Sequence, residues 1–333
     1  MMGATAMMTK RERVKAALNG QSVDRVPVGF WRHWPGDDQA PDSLAAVALA
    51  YQRKYDLDFI KFPVSSTYCV EDYGITHAYR GNIIGDRDYL SRPIHTPGDW
   101  SGIAPLDISR GAYGWHLESL KKVVKEKSPT TPVIVTMFHP AAMAAYLAGD
   151  EMFLAHMREY PDKVLPALHA LTETSARFAR ACIEAGADGI FLSARFASYE
   201  LMSRDEYLQF GRPTDLLVLE AASGGWFNVV HLHGQYPMFP EIADYPAQAV
   251  NWHDRTSGID LVTAATLFPG ALMGGVEQMH LLQDGTPQAV ADQAREAIRK
   301  MNGRRLILTT GCTYSMGVPE ANLMAMLRAV DSA

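Results

Sequence analysis

The sequence predicts an α/β protein, a single-domain (β/α)₈ TIM barrel, from three observations. Eight short apolar runs rich in β-forming residues alternate with segments of helical periodicity. Eight is the number of parallel strands that closes such a barrel. No linker rich in proline, serine or glycine divides the 333 residues, and no block of like charges interrupts them. We therefore expect one barrel domain over residues 1–333.

The predicted strands follow one another along the whole chain. They are VPVGF at 26–30, DFIKFPV at 58–64, PVIVTMF at 132–138, GIFLS at 189–193, WFNVVHLH at 226–233, QAVNWH at 248–253, ALMGGV at 271–276 and RRLILTT at 304–310. The segment 74–131 is longer than one helical connection needs. We therefore expect an elaborated connection after the second strand, either an insertion over the barrel mouth or a loop-rich βα unit.

Helix signals fill the stretches between the strands. Thr286 followed by Pro287 fits a capped helix N-terminus. Two capping boxes are predicted, one formed by Thr9 with Glu12 and one by Ser203 with Glu206. The alternative fold is an open doubly wound sheet, but the phosphate-binding pattern G-x-G-x-x-G is missing after its first strand.

Composition argues against several classes of protein, namely nucleic-acid-binding, disulfide-rich and membrane-spanning proteins. The net charge of -6 argues against a nucleic-acid partner, so we expect a small-molecule substrate. Cys69, Cys182 and Cys312 are too few and too far apart for a disulfide scaffold, which indicates a reducing compartment. No signal peptide and no apolar run of about 18 residues is present, so we predict a cytoplasmic protein without a membrane span.

The stretch VVHLHGQ at 229–235 carries a candidate metal site. His231 and His233 point to the same face of a strand, and they lie at its C-terminal end, which in a barrel is the active-site face. Cys312 follows the eighth strand and can meet them there. Two imidazoles and a thiolate suit zinc with a fourth position left open. The alternative is a pair of hydrogen-bonded core histidines with a buried cysteine.

Other polar side chains at the predicted mouth are candidates for contact with a substrate. Tyr146 lies in the helix after the third strand and is placed to donate a hydrogen bond to a developing oxyanion, although packing would explain it equally well. Cations at the mouth suit a carboxylate or phosphate, unless each pairs with an acidic neighbour. The remaining candidates follow or lie within other strands: Arg32, Lys61, His139, Arg195 and His253.

Five segments in this order resemble the uroporphyrinogen decarboxylase superfamily. They are RERVKAALNGQSVDRVPVGFW, HPAAMAAYLAG, EAGADGIFLSA, GGVEQMHLLQDGTPQAV and LTTGCTYSMGVPEANL, and the resemblance runs from about Thr9 to Arg328. It implies a (β/α)₈ barrel, in many relatives a homodimer. It also implies one of two activities: cofactor-free decarboxylation of tetrapyrroles, or zinc-dependent methyl exchange with a corrinoid protein.

Particular positions favour the methyltransferase branch. Val64 stands where the resemblance to decarboxylases requires an aspartate, while Arg32 corresponds to the first arginine of their arginine-rich element and Tyr146 to their catalytic tyrosine. The methyltransferases hold zinc through H-x-C-G and G-C, to which His231 and Cys312 correspond, whereas His233 replaces a cysteine. One thiolate with two imidazoles leaves the site a net charge of +1. This favours polarising the oxygen of a methyl ether over activating a thiol.

The resemblance therefore implies a zinc-dependent methyltransferase that moves a methyl group between a small substrate, such as a methoxylated compound, and a separate corrinoid protein. The chain has no D-x-H-x-x-G corrinoid segment of its own. Zinc would be held by His231, His233 and Cys312 with Glu277 or water, and Tyr146 and Arg32 would contact the substrate. Two alternatives stay open: a decarboxylase or lyase acting on another carboxylate, and a non-catalytic barrel that binds a tetrapyrrole or aromatic ligand.

Overall fold

Nine strands occur in the part of the chain that the computed structural model describes, residues 7–331. Residues 1–6 and 332–333 of the predicted domain lie outside the described residues. The strands are β1 (Ile60–Phe62), β2 (Thr76–Ala78), β3 (Asp88–Ser91), β4 (Val133–Phe138), β5 (Gly189–Ser193), β6 (Val229–Leu232), β7 (Ala249–Trp252), β8 (Ala271–Val276) and β9 (Leu306–Thr310). Seven of them form one curled parallel sheet in the order β1-β4-β5-β6-β7-β8-β9.

The first predicted strand, 26–30, completes the barrel without forming a regular ladder. Val28 makes an isolated parallel bridge with Leu308 of β9, and the Asp58 amide donates to the Val28 carbonyl at 3.0 Å before β1. Pro27 has no N–H to donate, and the Val28 amide donates to the Asp58 carboxylate at 2.8 Å. The segment thus lies between the two edges of the sheet, and the predicted (β/α)₈ class is confirmed.

Helices cover the outer face of the sheet. The α-helices are α1 (Lys10–Leu18), α2 (Pro41–Tyr55), α3 (Tyr68–Glu71), α4 (Gly111–Glu126), α5 (Pro140–Ala148), α6 (Asp150–Glu159), α7 (Pro161–Glu184), α8 (Arg204–Glu206), α9 (Arg212–Ala221), α10 (Phe239–Ile242), α11 (Leu261–Leu267), α12 (Leu281–Asp284), α13 (Pro287–Lys300) and α14 (Glu320–Asp331). A 3₁₀ segment covers Pro97–Gly102, and a π-helical turn covers Tyr207–Gly211. No helix within residues 7–331 is long and apolar enough to cross a membrane.

The predicted helix starts are confirmed. Both capping boxes are present, at Thr9 with Glu12 and at Ser203 with Glu206. The Thr286 side chain accepts the amide of Ala289 at 3.2 Å at the start of α13. Each of these contacts satisfies a backbone donor that the first turn of a helix leaves unpaired.

The connection after β1, which corresponds to the second predicted strand, reaches over the barrel mouth. It contains the antiparallel pair β2–β3, the 3₁₀ segment and α4. The loop between β2 and β3, together with β3, contributes Ile84, Asp86, Arg87 and Tyr89 to the wall of the cavity at the mouth. Of the two arrangements expected for 74–131, the structure therefore has the insertion over the mouth.

Candidate functional site

Alternation along the barrel strands determines which side chains reach the cavity. A first layer of inward residues is packed in the lumen and includes Phe59, Ile134 and Val229. Two residues further along the same strands, Lys61, Thr136 and His231 line a cavity of about 660 Å³. Because side chains in a strand alternate between its faces, the second set points inward like the first. The cavity therefore opens at the C-terminal ends of the strands, the face that carries active sites in barrels of this kind.

Three histidines and one cysteine converge at the base of this cavity. One ligand atom from each of His231, His233, His253 and Cys312 lies within 4.8 Å of all the others. The Cys312 Sγ is 3.6 Å from His231 Nε2 and 3.6 Å from His233 Nδ1. His231 lies in β6 and His233 directly after it, while His253 and Cys312 lie in the loops after β7 and β9. The structure thus brings together the three predicted metal ligands and adds His253, for which we had expected contact with a substrate.

Asn251 fixes the tautomer of His231. The Asn251 amide nitrogen donates to the carbonyls of Met273 at 2.9 Å and Thr310 at 3.1 Å, so its Oδ1 is left as an acceptor. That oxygen lies 2.6 Å from His231 Nδ1, which therefore carries the proton. The lone pair of His231 Nε2 is directed towards Cys312. Sequence reasoning missed Asn251, although its spacing of two from His253 repeats the spacing of His231 and His233 in the neighbouring strand.

Burial keeps the histidines in the form that binds metals. It lowers the pKa of His231 well below its usual value, with smaller contributions from the neighbouring His233 and His253. It also lowers the pKa of His233 to about 4 and lowers the pKa of His253. All three rings are therefore neutral at pH 7, as metal ligation requires. The Nε2 atom of His253 is buried and has no hydrogen-bond partner among the described residues.

Burial has the opposite effect on the protonation of Cys312, whose pKa it raises. Burial raises the pKa of its thiol to about 11, against a smaller lowering by hydrogen bonds from Thr313 and by Lys61. The group is therefore a thiol at neutral pH until a cation enters the site, since a bound metal deprotonates a coordinating thiol.

Glu277 does not take the fourth position that we predicted for it. Its carboxylate lines the cavity but accepts the backbone amides of Met279 at 2.7 Å, His280 at 2.8 Å and Leu281 at 2.6 Å. These contacts fix the turn that leads into α12. Cys69 is buried in α3 and is not part of the group.

Lys61 lines the cavity beside this group. Its ammonium donates to Thr136 Oγ1 at 2.8 Å and lies 4.4 Å from the centre of the Phe191 ring and 5.0 Å from the Trp31 ring. Burial lowers the pKa of Lys61 to about 7, with a small opposing effect of Cys312. The ring of Phe191 also stacks on His231 with 5.3 Å between centroids, so the same aromatic ring contacts the ammonium and a residue of the candidate metal centre.

Arg195 and Tyr146 line the upper wall of the cavity. The Arg195 guanidinium makes a two-point ion pair with Asp150, one contact of which measures 2.8 Å. The ring of Tyr146 stacks on Tyr89 with 5.7 Å between centroids, and burial raises the pKa of its hydroxyl. Both positions agree with the prediction that these side chains face the cavity.

Arg32 and His139 do not face the cavity, contrary to expectation. Phe138 points inward at the end of β4, so His139 points to the opposite side. Trp31 lines the cavity, whereas Arg32 does not. The Arg32 guanidinium stacks 3.8 Å from the Trp34 ring. His139 is fully buried, where its Nδ1 donates to Asp215 at 3.0 Å and its Nε2 accepts the Phe196 amide at 3.1 Å. Its role is to hold the start of α5 to neighbouring elements.

The chain is similar to methyltransferases of Methanosarcina species over nearly its whole length. The methylcobamide:CoM methyltransferase MtbA of Methanosarcina acetivorans is 24% identical over 335 residues, with 96% of each chain covered. The methylcobamide:CoM methyltransferase MtaA of Methanosarcina barkeri is 25% identical over 340 residues, covering 97% of this chain and 98% of the relative. These relatives confirm the prediction of a methyltransferase.

Solved structures support the same grouping. A methyltransferase from Methanosarcina mazei has a TM-score of 0.85 and 26% identity, covering 98% of this chain and 99% of that one. A B12-independent methionine synthase from Shewanella sp. W3-18-1 shares the fold, with a TM-score of 0.56 and 15% identity over 88% of this chain and 85% of that one. A family model described as uroporphyrinogen decarboxylase (URO-D) matches residues 9–333, and the chain belongs to that family.

Proposed function

We propose that this protein is a zinc-dependent methyltransferase that moves a methyl group between a small methylated substrate and a separate corrinoid protein. The observation that carries the proposal is the convergence of His231, His233, His253 and Cys312 on one point. The relatives named for methylcobamide support a corrinoid partner. That corrinoid would belong to another chain, because no D-x-H-x-x-G segment occurs in this one.

The donor set fits zinc. Nitrogen and sulfur ligands without a carboxylate favour zinc over calcium or magnesium. The histidines are neutral, the hydrogen bond between Asn251 and His231 leaves Nε2 free to bind, and the buried His253 Nε2 has no other partner among the described residues. We propose His231, His233 and Cys312 as ligands and His253 as a fourth that the heteroatom of the substrate would replace, because a catalytic zinc keeps one position for water or substrate. When bound, zinc would supply a Lewis acid that polarises the heteroatom carrying the methyl group.

The protein's own side chains would bind the substrate and exclude water from it. Trp31, Phe138 and Phe191 give the cavity apolar walls, and Tyr146 contributes a hydroxyl that burial keeps protonated. The ion pair with Asp150 holds Arg195 in place at the upper wall. The connection over the mouth encloses the substrate, so it would restrict access of water to the reacting methyl group.

Metal analysis of the purified protein tests the proposed site. We expect about one zinc per chain in the wild type and a large loss in each of the variants His231→Ala, His233→Ala and Cys312→Ala. Cys182→Ala is the matched control, because Cys182 is buried in α7 away from the cavity and its loss should leave zinc unchanged. Zinc that stays stoichiometric in Cys312→Ala would contradict this ligand set.

The activity is tested with the zinc-loaded protein and free cob(I)alamin. We expect methylcobalamin to form from a methoxylated or N-methylated donor, followed by its absorbance spectrum, and the Cys312→Ala variant to be inactive. Release of CO₂ from a carboxylic acid without any corrinoid would instead support the alternative of a decarboxylase. Binding of aromatic ligands without turnover, unaffected by loss of Cys312, would support the non-catalytic alternative.

We also propose a cytoplasmic location and a homodimer. A free Cys312 thiol at the site suits a reducing compartment such as the cytoplasm. The homodimer implied by the family resemblance can be checked on the same zinc-loaded preparation by light scattering.

A further inference from the structure

The cavity contains one ammonium group with no acidic partner among the described residues. Lys61 makes a single hydrogen bond, to Thr136 Oγ1, and that hydroxyl in turn donates to the Phe62 carbonyl at 3.0 Å. Its other surroundings are the rings of Trp31 and Phe191. Aromatic faces stabilise a cation only partly, so two of the three N–H groups of this ammonium are available to a ligand.

The other cationic side chains that line the cavity are already neutralised. Arg87 pairs with the buried Asp38, and Arg195 pairs with Asp150. The carboxylate of Glu277 accepts hydrogen bonds from three backbone amides, and Asp86 pairs with His33 at 3.0 Å. Lys61 is therefore the basic side chain in the described cavity wall that has no acidic partner, and a carboxylate bound beside it would hold it in the ammonium form.

The position of this charge relates it to the candidate metal centre. The centre of the Phe191 ring lies 4.4 Å from the Lys61 ammonium and 5.3 Å from the centre of the His231 ring, so both groups contact the same ring. Both Lys61 and His231 line the same cavity, which is closed beneath them by packed lumen residues such as Phe59 and Val229. A molecule with an anionic group at one end and a methylated heteroatom at the other would reach both points.

We propose that Lys61 anchors a carboxylate of the substrate, so that the substrates are small methylated carboxylic acids bound with the methylated heteroatom at the candidate metal centre. The assignment of the methylated end rests on the proposed function. A carboxylate is favoured over a phosphate because one ammonium offers a single charge, and phosphate sites combine several cations or a helix N-terminus.

Binding of paired probes to the zinc-loaded protein tests this anchor. The probes are methoxyacetate, 3-methoxypropionate and 4-methoxybenzoate, each compared with its neutral amide by titration calorimetry and ligand-observed NMR. We expect at least one acid to bind the wild type more tightly than its amide. Lys61→Met keeps the length of the side chain but removes the charge. It should weaken the binding of the acid by about tenfold or more and leave the affinity for the amide unchanged.

Two further variants and a metal measurement separate the anchor from other roles of Lys61. Lys61→Arg should retain part of the preference for acids. Lys127→Met is the matched control, because Lys127 also donates to one oxygen of the chain, the Thr131 carbonyl at 2.7 Å, but does not line the cavity. Zinc content is measured in every variant, since a lysine that only supported the Cys312 thiolate would change zinc content and weaken acid and amide alike.

Two results overturn the proposal: no acid binds the wild type more tightly than its amide, or Lys61→Met weakens acids and amides equally. Failure of the proposed function looks different. A protein that binds acids through Lys61 but transfers no methyl group contradicts the methyltransferase and leaves the anchor in place. Methyl transfer from the acids that is unchanged in Lys61→Met contradicts the anchor alone.

Discussion

Asn251 orients a candidate zinc ligand without offering a ligand atom itself. Its Oδ1 accepts a hydrogen bond from His231 Nδ1, and its amide nitrogen donates to the carbonyls of Met273 and Thr310. A fixed acceptor on one ring nitrogen sets both the tautomer and the direction of the other nitrogen. Such partners of metal-bound histidines typically contribute a factor of about 10 to 100 to metal affinity.

We predict that Asn251→Ala lowers the affinity for zinc by about 10- to 100-fold, because His231 then loses its preferred tautomer and orientation. Competition with a chromophoric chelator measures the dissociation constant. Asn322→Ala is the control, since Asn322 is also buried and donates to two carbonyls, Leu282 at 2.8 Å and Gly285 at 2.9 Å, but away from the cavity. An equal loss of affinity in both variants would mean that general destabilisation, and not the contact with His231, is responsible.

Sequence alone predicted much of the candidate site because one rule, alternation along a strand, orders it. The rule places His231 with His233, and it brings Lys61 and Arg195 to the cavity. Applied one step further, the rule would have found Asn251 as the inward partner of His253. It would also have turned His139 away from the cavity, because Phe138 points inward. Arg32 was beyond the rule, since the first strand is irregular and its alternation cannot be read from a pattern.

Asp58 joins the first barrel strand and α1 to the sheet. Its fully buried carboxylate accepts Arg13 Nη1 at 2.5 Å, Arg25 Nη1 at 2.7 Å and the Val28 amide at 2.8 Å. The carboxylate thus takes the place of a ladder hydrogen bond at the strand that Pro27 interrupts. A pattern of apolar runs could predict that strand, but not that a side chain would complete its pairing.

We predict that Asp58→Ala lowers the free energy of unfolding by about 2 to 4 kcal/mol, because it leaves Arg13 Nη1 and the Val28 amide without their acceptor, while Asp24 still pairs with Arg13. Asp58→Asn should cost less, since its oxygen can still accept the Val28 amide. Urea denaturation at pH 7 measures the loss. Glu320→Ala, which removes a surface ion pair with Lys54, should show no measurable change. A loss in Asp58→Ala no larger than in Glu320→Ala would show that the network contributes little.

His116 connects α4 to the loop after β1. Its Nδ1 donates to the Ala112 carbonyl at 2.7 Å, and its Nε2 accepts the Ser65 amide at 3.3 Å. Burial lowers the pKa of this ring to about 3, against a smaller raising by the bond to Ala112. The unfolded chain therefore binds a proton here below about pH 6.5, whereas the folded chain does so only below about pH 3. The stability that the neutral ring contributes is complete above pH 6.5 and falls as the pH is lowered.

We predict that His116→Gln reduces the acid sensitivity of folding. Between pH 7 and pH 5 the free energy of unfolding should fall by about 2 kcal/mol less in the variant than in the wild type, because the titration of this one ring is removed. Urea denaturation at both pH values measures the difference, and the remaining histidines are common to both proteins. His95→Gln, at an exposed position, is the control. An unchanged difference between the two pH values would contradict the assignment to His116.

At the scale of the whole molecule, the candidate zinc ligands connect distant parts of the chain. His231 lies in β6, His253 follows β7, and Cys312 follows β9, so one ion would link three segments of the barrel wall. A ligand that binds only the folded protein stabilises it by about 2.7 kcal/mol when its free concentration is 100 times the dissociation constant.

We predict that removing zinc with a chelator lowers the unfolding temperature of the wild type by a few degrees, since about 1 kcal/mol corresponds to about 2 to 4 °C in proteins of 150–250 residues. Differential scanning calorimetry at fixed zinc and chelator concentrations measures the shift. Cys312→Ala should unfold at the same temperature with and without zinc. A shift of equal size in that variant would place the stabilising zinc at a different site.

The bridge between Val28 and Leu308 has a consequence for the order in which the barrel can assemble. The other neighbouring barrel strands are consecutive along the chain, so each can pair as soon as the next has left the ribosome. The Val28 segment must wait for Leu308, which is translated 280 residues later. Until then the sheet is an open trough with its apolar lumen exposed at the unpaired edge. Closure of the barrel, and with it the meeting of Cys312 with the histidines, therefore has to follow the synthesis of β9.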